Sequence, residues 1–340
     1  MGLPFVALAS LGGTITMTSS AVGRGAALTL SADELAATVP ELSGVARMET
    51  VTLASVPSAS LSFADALHAL DWASKAVAGG AEGVVLIQGT DTLEESSYLM
   101  DLLWDRPEPL VLTGAMRTPG SAGADGPANL LAAVRTAASP GSRGLGAVVV
   151  MNDEVHAAAR VRKTDATGVH AFRSPDFGPL GRLRESEVVY GNRPERWAAL
   201  PRPTKSREPR VPLLGTYLGD DGTTLRLLLE DGVDGVVIGA FGAGHVAARM
   251  AEVVSDAAAK IPIVFASRTG AGPTLSHTYG FAGSESDLLH RGAVAAGWLQ
   301  PRKARILLWS LLAGGAGPEL VAAEFERRGG SPGGPGSVDY

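Results

Sequence analysis

The segment GVVLIQGTDT, residues 83–92, gives the clearest indication of the fold class of this chain. Its first half, residues 83–87, is an apolar run without the alternation of a half-exposed strand, which is typical of a strand buried on both faces of a parallel sheet. Its second half, residues 88–92, changes at once to glycine and to residues that carry hydroxyl, amide or carboxyl groups. The stretch therefore predicts a buried strand with chemically active groups at its carboxyl end.

Similar apolar runs recur along the chain, separated by amphipathic helical stretches. They lie at residues 5–9, 110–112, 147–151, 235–238 and 263–266. Capping boxes at Ser31 and Ser62, each with an acidic residue three positions later, mark the start of two of the helices. A strand–helix alternation of this kind predicts an α/β fold with a doubly wound, mainly parallel sheet.

A change of composition divides the chain. Residues 197–210 hold three prolines and several basic residues but few apolar ones, so we predict an interdomain linker there. This gives an N-terminal α/β catalytic domain over residues 1–196 and a C-terminal α/β domain over residues 211–328. Residues 329–340 are rich in glycine and proline, which predicts a disordered tail.

Composition excludes several classes of function. The 340 residues carry a net charge of −6 without a basic patch, which argues against a nucleic-acid partner. The absence of cysteine excludes disulfides and thiolate chemistry and suits a reducing cytoplasm, where we expect the protein. No apolar run approaches the ~18 residues of a membrane span, and the N-terminus lacks the basic start of a secretory signal. The six histidines show no metal-ligand spacing, so we expect neither a metal nor another cofactor.

Hydroxyl, glycine and acidic residues follow the first four predicted strands, at residues 10–15, 55–60, 88–92 and 113–117. Ligands of open α/β sheets bind beyond the carboxyl ends of the strands, so we expect these groups to meet at one rim. A hydroxyl is a weak nucleophile until a base removes its proton, and a lysine kept partly neutral can be that base. We expect Thr90 and Asp91 to open a helix, which would place a hydroxyl, an anion and free backbone N–H groups together.

Six short segments in fixed order carry a resemblance to a known family. They are GGTI (12–15), GTDTLEE (89–95), TGAMR (113–117), ADGPANL (124–130), VMNDE (150–154) and RKT (162–164). In these segments, and in their spacing from about residue 5 to residue 328, the chain resembles the bacterial asparaginase/glutaminase family of threonine amidohydrolases. The resemblance implies a larger N-terminal and a smaller C-terminal α/β domain and the hydrolysis of a small amino-acid amide.

The resemblance also implies catalytic roles. Thr14 would be the nucleophile that forms an acyl-enzyme intermediate. Thr90 would pair with Lys163 and Asp91 in a second set of hydroxyl, amine and carboxylate that activates the water or the nucleophile.

Substrate-binding roles follow from the same resemblance. Asp91 would bind the α-amino group and Ser58 the α-carboxylate of the substrate. Backbone groups at Gly13, Gly89 and Ala115 would complete the pocket.

The resemblance further implies a homo-oligomer, a dimer or a dimer of dimers, in which each site is finished by the neighbouring subunit. His245 and Tyr279 would reach across that interface. In the family, asparagine is common at the first of these positions. At the second, many members have glutamate and others have tyrosine. Both residues therefore bear on the choice between asparagine and glutamine.

Two further departures concern the first domain. The family places a tyrosine in the loop after the nucleophile, but residues 16–29 contain none, and Ser19, Ser20, a shifted tyrosine or water would have to replace it. Ala59 occupies the position of the family's glutamine beside the substrate-binding serine.

Four functions therefore stand beside an L-asparaginase. A glutaminase-asparaginase of mixed preference is the nearest, and an amino-acid-binding protein of low activity is motivated by the missing tyrosine. A nicotinamide oxidoreductase is the third, because GAGHVA, residues 242–247, fits a dinucleotide-binding pattern. The next predicted strand, however, ends at Ser267 and Arg268 instead of the acid that such a site needs. A tRNA-dependent amidotransferase subunit would need an appended RNA-binding region, which we do not find.

Overall fold

The computed structural model describes residues 2–18, 27–28, 30–204 and 207–330. The chain forms two compact units, Met1–Ala199 and Leu200–Tyr340, which divide inside the segment that the sequence assigns to the linker. The last helix ends at Gly329. Residues 331–340, most of the predicted tail, lie outside the described residues.

The first unit is built from twelve strands and four helices in its described residues. The strands are β1 (Phe5–Ser10), β2 (Met17–Thr18), β3 (Ala27–Leu28), β4 (Arg47–Thr52), β5 (Gly83–Ile87), β6 (Leu110–Thr113), β7 (Ala147–Met151), β8 (Glu154–Ala157), β9 (Arg162–Lys163), β10 (Phe172–Arg173), β11 (Gly181–Arg184) and β12 (Glu187–Tyr190). The helices are α1 (Ala32–Ala37), α2 (Phe63–Ala78), α3 (Leu93–Leu103) and α4 (Gly126–Ala138).

The main sheet of this unit has eight strands within the described residues, in the order β12-β11-β8-β7-β6-β5-β1-β4. The five strands from β7 to β4 run parallel, and the other three extend the sheet in antiparallel fashion. Every residue of β5, β6 and β7 is buried, whereas β4 at the edge is partly exposed. The predicted parallel α/β sheet is confirmed.

The order of the strands fixes where a ligand can bind. The chain passes from β1 to its neighbour β4 on one side and then returns to place β5 on the other side of β1. The direction of winding therefore reverses between β1 and β5, and from the carboxyl ends of these two adjacent strands the chain continues towards opposite sides of the sheet. Such a switch point is where open α/β sheets hold their ligands.

Local signals in the sequence explain the helix boundaries. The Ser31 and Ser62 side chains each accept the backbone N–H three residues on, and Glu34 and Asp65 complete the two capping boxes. After α2 the chain leaves the helix at Gly80, whose φ of 100° is favourable for glycine. Apolar residues of α1 and α4 pack with those of the main sheet in one core.

The second unit repeats the pattern on a smaller scale. Its strands are β13 (Leu213–Gly215), β14 (Val236–Ala240), β15 (Ile263–Ser267) and β16 (Val294–Ala295), which form a parallel sheet in that order. Its helices are α5 (Thr223–Glu230), α6 (Ala248–Ala258), α7 (Glu285–His290), α8 (Pro301–Ala313) and α9 (Pro318–Gly329). Among the described residues of both units, no helix has the length and apolarity that crossing a bilayer requires.

One buried histidine lies in the antiparallel part of the main sheet. His156 on β8 is fully buried, and its Nδ1 lies 3.0 Å from the Ser174 hydroxyl oxygen. Burial, together with the nearby Arg182 guanidinium, lowers the pKa of His156 to about 4. Glu154 lies 3.4 Å from Nε2, but its other carboxylate oxygen binds Arg182 at 2.7 Å, which balances part of its charge, and the desolvation of the buried ring dominates.

We expect the free energy of unfolding to fall as the pH is lowered from 6.5 towards 4. In that window the unfolded chain binds a proton at His156 and the folded chain does not, so the lowered pKa destabilises the fold by up to about 3 kcal/mol. Urea unfolding at several pH values will measure this slope, which His156→Gln is expected to reduce. The same substitution at the exposed His68 should leave it unchanged, and equal slopes in all three proteins would refute the assignment.

Candidate active site

The loops after β1 and β5 meet backbone to backbone. Gly13 has a φ of 102°, and a Cβ placed on it would lie 2.2 Å from the backbone nitrogen of Gly89. The two glycines allow this approach because neither carries a side chain. Thr14 and Thr90 are the next residues, so the two predicted catalytic threonines follow glycines that are in contact at the switch point.

Thr14 begins a short 3-10 helix, Thr14–Thr16, at the carboxyl end of β1. The residue is half-buried, whereas Ile15 and Thr16 behind it are buried. The Thr16 hydroxyl donates to the carbonyl of Gly13 at 2.8 Å, which closes the turn. Thr14 is therefore held, partly exposed, in a hydrogen-bonded turn.

Lys163, the last residue of β9, contacts Thr90 and Asp91 at the same rim. Its amine donates to the Thr90 hydroxyl oxygen at 2.9 Å and to Asp91 Oδ1 at 3.0 Å. Thr90 is buried and the Lys163 side chain is 18% exposed, but the Asp91 side chain is 61% exposed. The amine thus links a buried hydroxyl to a carboxylate that solvent, or a ligand, can reach.

Ser58 contacts Asp91 through its hydroxyl group. The buried Ser58 hydroxyl accepts the Asp91 backbone N–H at 3.1 Å and lies 3.3 Å from Asp91 Oδ2. A Cβ on Gly89 would lie 2.5 Å from the Ser58 hydroxyl oxygen, so this glycine is also required for close packing. The structure therefore groups Ser58, Gly89, Thr90, Asp91 and Lys163. Ala59, the residue that departs from the family pattern, is exposed beside this group.

The prediction that Thr90 and Asp91 open a helix is wrong. Helix α3 begins at Leu93, with Thr92 at the N-cap position. The Thr92 hydroxyl donates to the Ser58 carbonyl at 2.9 Å, and the Asp91 N–H donates to the Ser58 hydroxyl. These tertiary hydrogen bonds hold residues 90–92 outside the helix and keep the Thr90 and Asp91 side chains at the rim.

The loop after β6 closes the site behind Thr90. A Cβ on Gly114 would lie 2.5 Å from the Gln88 carbonyl oxygen and 3.3 Å from the Thr90 methyl group. Asp125 accepts the backbone N–H groups of Met116 and Arg117, each at 2.9 Å. The backbone of the buried Ala115, a predicted substrate contact, is thereby fixed next to Thr90.

Two groups that support the site received no role from the sequence. Asn129 donates to the Gly114 carbonyl at 3.0 Å and to Asp125 at 3.0 Å. Glu94, which is 3% exposed, accepts the backbone N–H of Lys163 at 2.6 Å. An acidic residue on the buried face of a helix is uncommon unless it is paired, and this was the signal in the sequence that could have indicated Glu94.

His245 and Tyr279 lie together in the second unit. The His245 ring contacts the Tyr279 ring edge-on at 4.8 Å and the Phe281 ring at 5.1 Å. His245 Nε2 lies 3.1 Å from the buried Glu285 carboxylate, which also accepts the Tyr279 backbone N–H at 2.8 Å. One cluster therefore positions both residues, and their contact with the substrate of a neighbouring subunit stays a prediction.

The loop after Thr14, in which the family places its tyrosine, lies partly outside the described residues. Strands β2 and β3 pair at the two ends of the loop after Thr14, with Met17 opposite Leu28. Ser19 and Ser20, the hydroxyl residues that the sequence offered as replacements, lie outside the described residues.

The fold and the site define an α/β protein with threonine hydroxyls, a lysine amine and a carboxylate at the switch point of a parallel sheet. Comparison with known proteins matches the N-terminal and C-terminal parts of the chain to two domains of one family. The family described as "Asparaginase, N-terminal" matches residues 5–196, and "Glutaminase/Asparaginase C-terminal domain" matches residues 210–325. The chain belongs to the asparaginase family.

Full-length relatives agree with this assignment. A protein of Deinococcus radiodurans named "Probable L-asparaginase" is 37% identical, over 95% of this chain and 97% of its own length. One of Haemophilus influenzae named "Probable L-asparaginase periplasmic" is 34% identical, over 95% and 93%. The crystal structure of a probable cytoplasmic L-asparaginase from Campylobacter jejuni superposes with a TM-score of 0.84 at 30% identity, covering 95% of this chain and 99% of that one.

Proposed function

We propose that this chain is an L-asparaginase that hydrolyses L-asparagine to L-aspartate and ammonia through Thr14. The observation that carries the proposal is the Lys163 amine, which binds the Thr90 hydroxyl and the Asp91 carboxylate at once, at the loop that contacts Gly13. Membership of the asparaginase family and the names of its full-length relatives support the amidohydrolase class and the substrate.

The proposed reaction is acyl transfer in two displacements. The Thr14 hydroxyl oxygen attacks the side-chain amide carbon, and its proton passes to the leaving nitrogen, so that ammonia departs and an aspartyl ester remains. Water then attacks the ester, and its proton returns to the Thr14 oxygen as aspartate leaves. Backbone N–H groups near Thr14 and Thr90 stabilise the oxyanion of each step. Thr90 and Lys163 carry the proton that each attack releases.

The proposed binding mode uses the polar groups around the threonines. The Asp91 carboxylate is largely exposed although it binds Lys163, so it can also accept the substrate ammonium group. Ser58 supplies the hydroxyl for the α-carboxylate, with backbone groups of Gly13, Gly89 and Ala115 around the side-chain amide. A substrate held at both ends of its amino-acid moiety presents the amide carbon at a fixed distance from Thr14.

We expect the purified protein to release ammonia from L-asparagine with a kcat/KM at least about tenfold above that for L-glutamine. The additional methylene of glutamine changes the transition-state energy by about 1–3 kcal/mol in a site of fixed size. A coupled assay for ammonia with each amide measures the ratio. Equal values would indicate the mixed glutaminase-asparaginase. Binding of L-aspartate in a calorimeter without ammonia release from either amide would indicate the amino-acid-binding protein.

We also propose a homo-oligomer, a dimer or a dimer of dimers, and a cytoplasmic location. His245 and Tyr279 support the homo-oligomer. In the second unit their rings contact each other, and His245 also contacts Glu285. The family resemblance places residues of the neighbouring site at these two positions. The absence of cysteine supports the cytoplasmic location. Light scattering of the purified protein tests the oligomer, and fractionation of cells tests the compartment.

A further inference from the structure

We propose that Glu94 is a positioning residue for the reaction, which holds Lys163 in place by binding its backbone. The contact is short and shielded. The Glu94 side chain is almost fully buried, and its Oε2 accepts the Lys163 N–H at 2.6 Å. The proposal rests on the proposed role of the Lys163 amine, and it assigns a task to a carboxylate that is not itself required to touch the substrate.

The need for such a contact follows from where Lys163 lies. Strand β9, Arg162–Lys163, pairs with β10 in a two-stranded sheet, whereas Thr90 follows β5 of the main sheet. The hydrogen bonds of the main sheet therefore do not fix the distance between the Lys163 amine and Thr90. A contact between β9 and the segment that carries Thr90 has to do so.

Glu94 is suited to that task because it lies on the same short segment as Thr90 and Asp91. It is in the first turn of α3, where a negative charge interacts favourably with the helix N-terminus. Lys163 is thus attached to this segment twice, by its backbone N–H to Glu94 and by its amine to Thr90 and Asp91. Two attachment points fix the direction of a flexible side chain, which one contact at the amine cannot.

Loss of the backbone contact should therefore misplace the amine without changing its chemistry. We expect Glu94→Met, which fills a similar volume but cannot accept the N–H, to lower kcat by about 10- to 100-fold. KM for asparagine should change by less than about threefold, because Ser58 and Asp91 remain. Glu94→Gln keeps an oxygen acceptor and should retain kcat within about threefold of the unchanged protein.

A matched control separates positioning from loss of stability. Asp65 is also a carboxylate in the first turn of a helix of the same unit that accepts a backbone N–H, that of Ser62, but it lies on α2. Asp65→Ala should lower the melting temperature and leave kcat unchanged. If Asp65→Ala and Glu94→Met reduce kcat alike, the effect is structural and the proposal is wrong.

A double-mutant cycle tests whether Glu94 acts through Lys163. In a Lys163→Met background, Glu94→Met should lower the residual kcat by less than about twofold, because the group that it positions is absent. A full, additive loss in that background would overturn the proposal. So would a Glu94→Met protein that keeps kcat within twofold, or a Glu94→Gln protein as impaired as Glu94→Met.

Hydrogen exchange provides a readout without turnover. The Lys163 N–H should exchange at least about tenfold faster in Glu94→Met than in the unchanged protein and in Asp65→Ala. If the protection of this N–H against exchange is unchanged, Glu94 does not hold the Lys163 backbone, and the proposal is wrong even if activity falls. Absence of ammonia release from the unchanged protein would instead refute the proposed function, and the exchange result would still decide whether Glu94 holds Lys163. If Glu94→Met does not fold, Glu94→Ala is measured in its place.

Discussion

Replacement of Thr14 by alanine is expected to lower the kcat for asparagine hydrolysis by at least about 10³-fold, which corresponds to about 4 kcal/mol of transition-state stabilisation. The substitution removes the oxygen that would form the ester with the substrate, and the substrate amide then has no protein nucleophile. Thr14 is half-buried at a turn, so the free energy of unfolding should change by less than about 1 kcal/mol. The coupled ammonia assay and urea unfolding measure the two quantities.

Thr90→Val is expected to cause a comparable loss while keeping the shape of the side chain. Valine fills the same buried space but cannot accept the hydrogen bond from the Lys163 amine. The matched controls are Thr38→Ala, which removes an exposed hydroxyl directly after α1, and Thr136→Val, which removes a buried one from α4. Neither should lower kcat. If the Thr14 and Thr90 variants both turn over at the rate of the unchanged protein, the proposed mechanism is wrong.

Gly13→Ala is expected to destabilise the protein by about 3 kcal/mol or more and to abolish activity with it. The added Cβ would lie 2.2 Å from the Gly89 nitrogen and 2.3 Å from its Cα, and a backbone cannot give way as a flexible side chain can. The φ of 102° adds strain for any residue with a Cβ. Relief of the clash requires the loops after β1 and β5 to separate, which would move Thr14 away from Thr90.

Two other glycines separate the components of this effect. Gly80 has a φ of 100° with no atom within 4 Å of an added Cβ, so Gly80→Ala measures the backbone strain alone. Gly44 has open space around it and no positive φ, so Gly44→Ala should change the free energy of unfolding by less than about 1 kcal/mol. Urea unfolding of the three variants gives the comparison. A Gly13→Ala protein no less stable than Gly80→Ala would show that the close contact does not constrain the loops.

The sequence predicted the fold because its signals are local. Fully apolar runs such as residues 83–87 are typical of strands buried on both faces of a parallel sheet, and the capping boxes at Ser31 and Ser62 set helix starts through contacts within one turn. The helix after β5 was misplaced by three residues because its start depends on Ser58, which is distant in the chain. A tertiary hydrogen bond there overrides the local preference.

The class of sheet, the strand ends that carry hydroxyl groups and, through ordered motifs, the asparaginase family are all readable from the amino-acid sequence. The family resemblance implies that Lys163 meets Thr90 and Asp91, but the hydrogen bonds that join them are seen only in the folded chain. The contact of Glu94 with the Lys163 backbone and the approach of Gly13 to Gly89 are likewise seen only there. The difference arises from distance along the chain. Secondary structure follows from interactions between near neighbours, whereas hydrogen bonds that span some seventy residues exist only once the strands have been placed side by side.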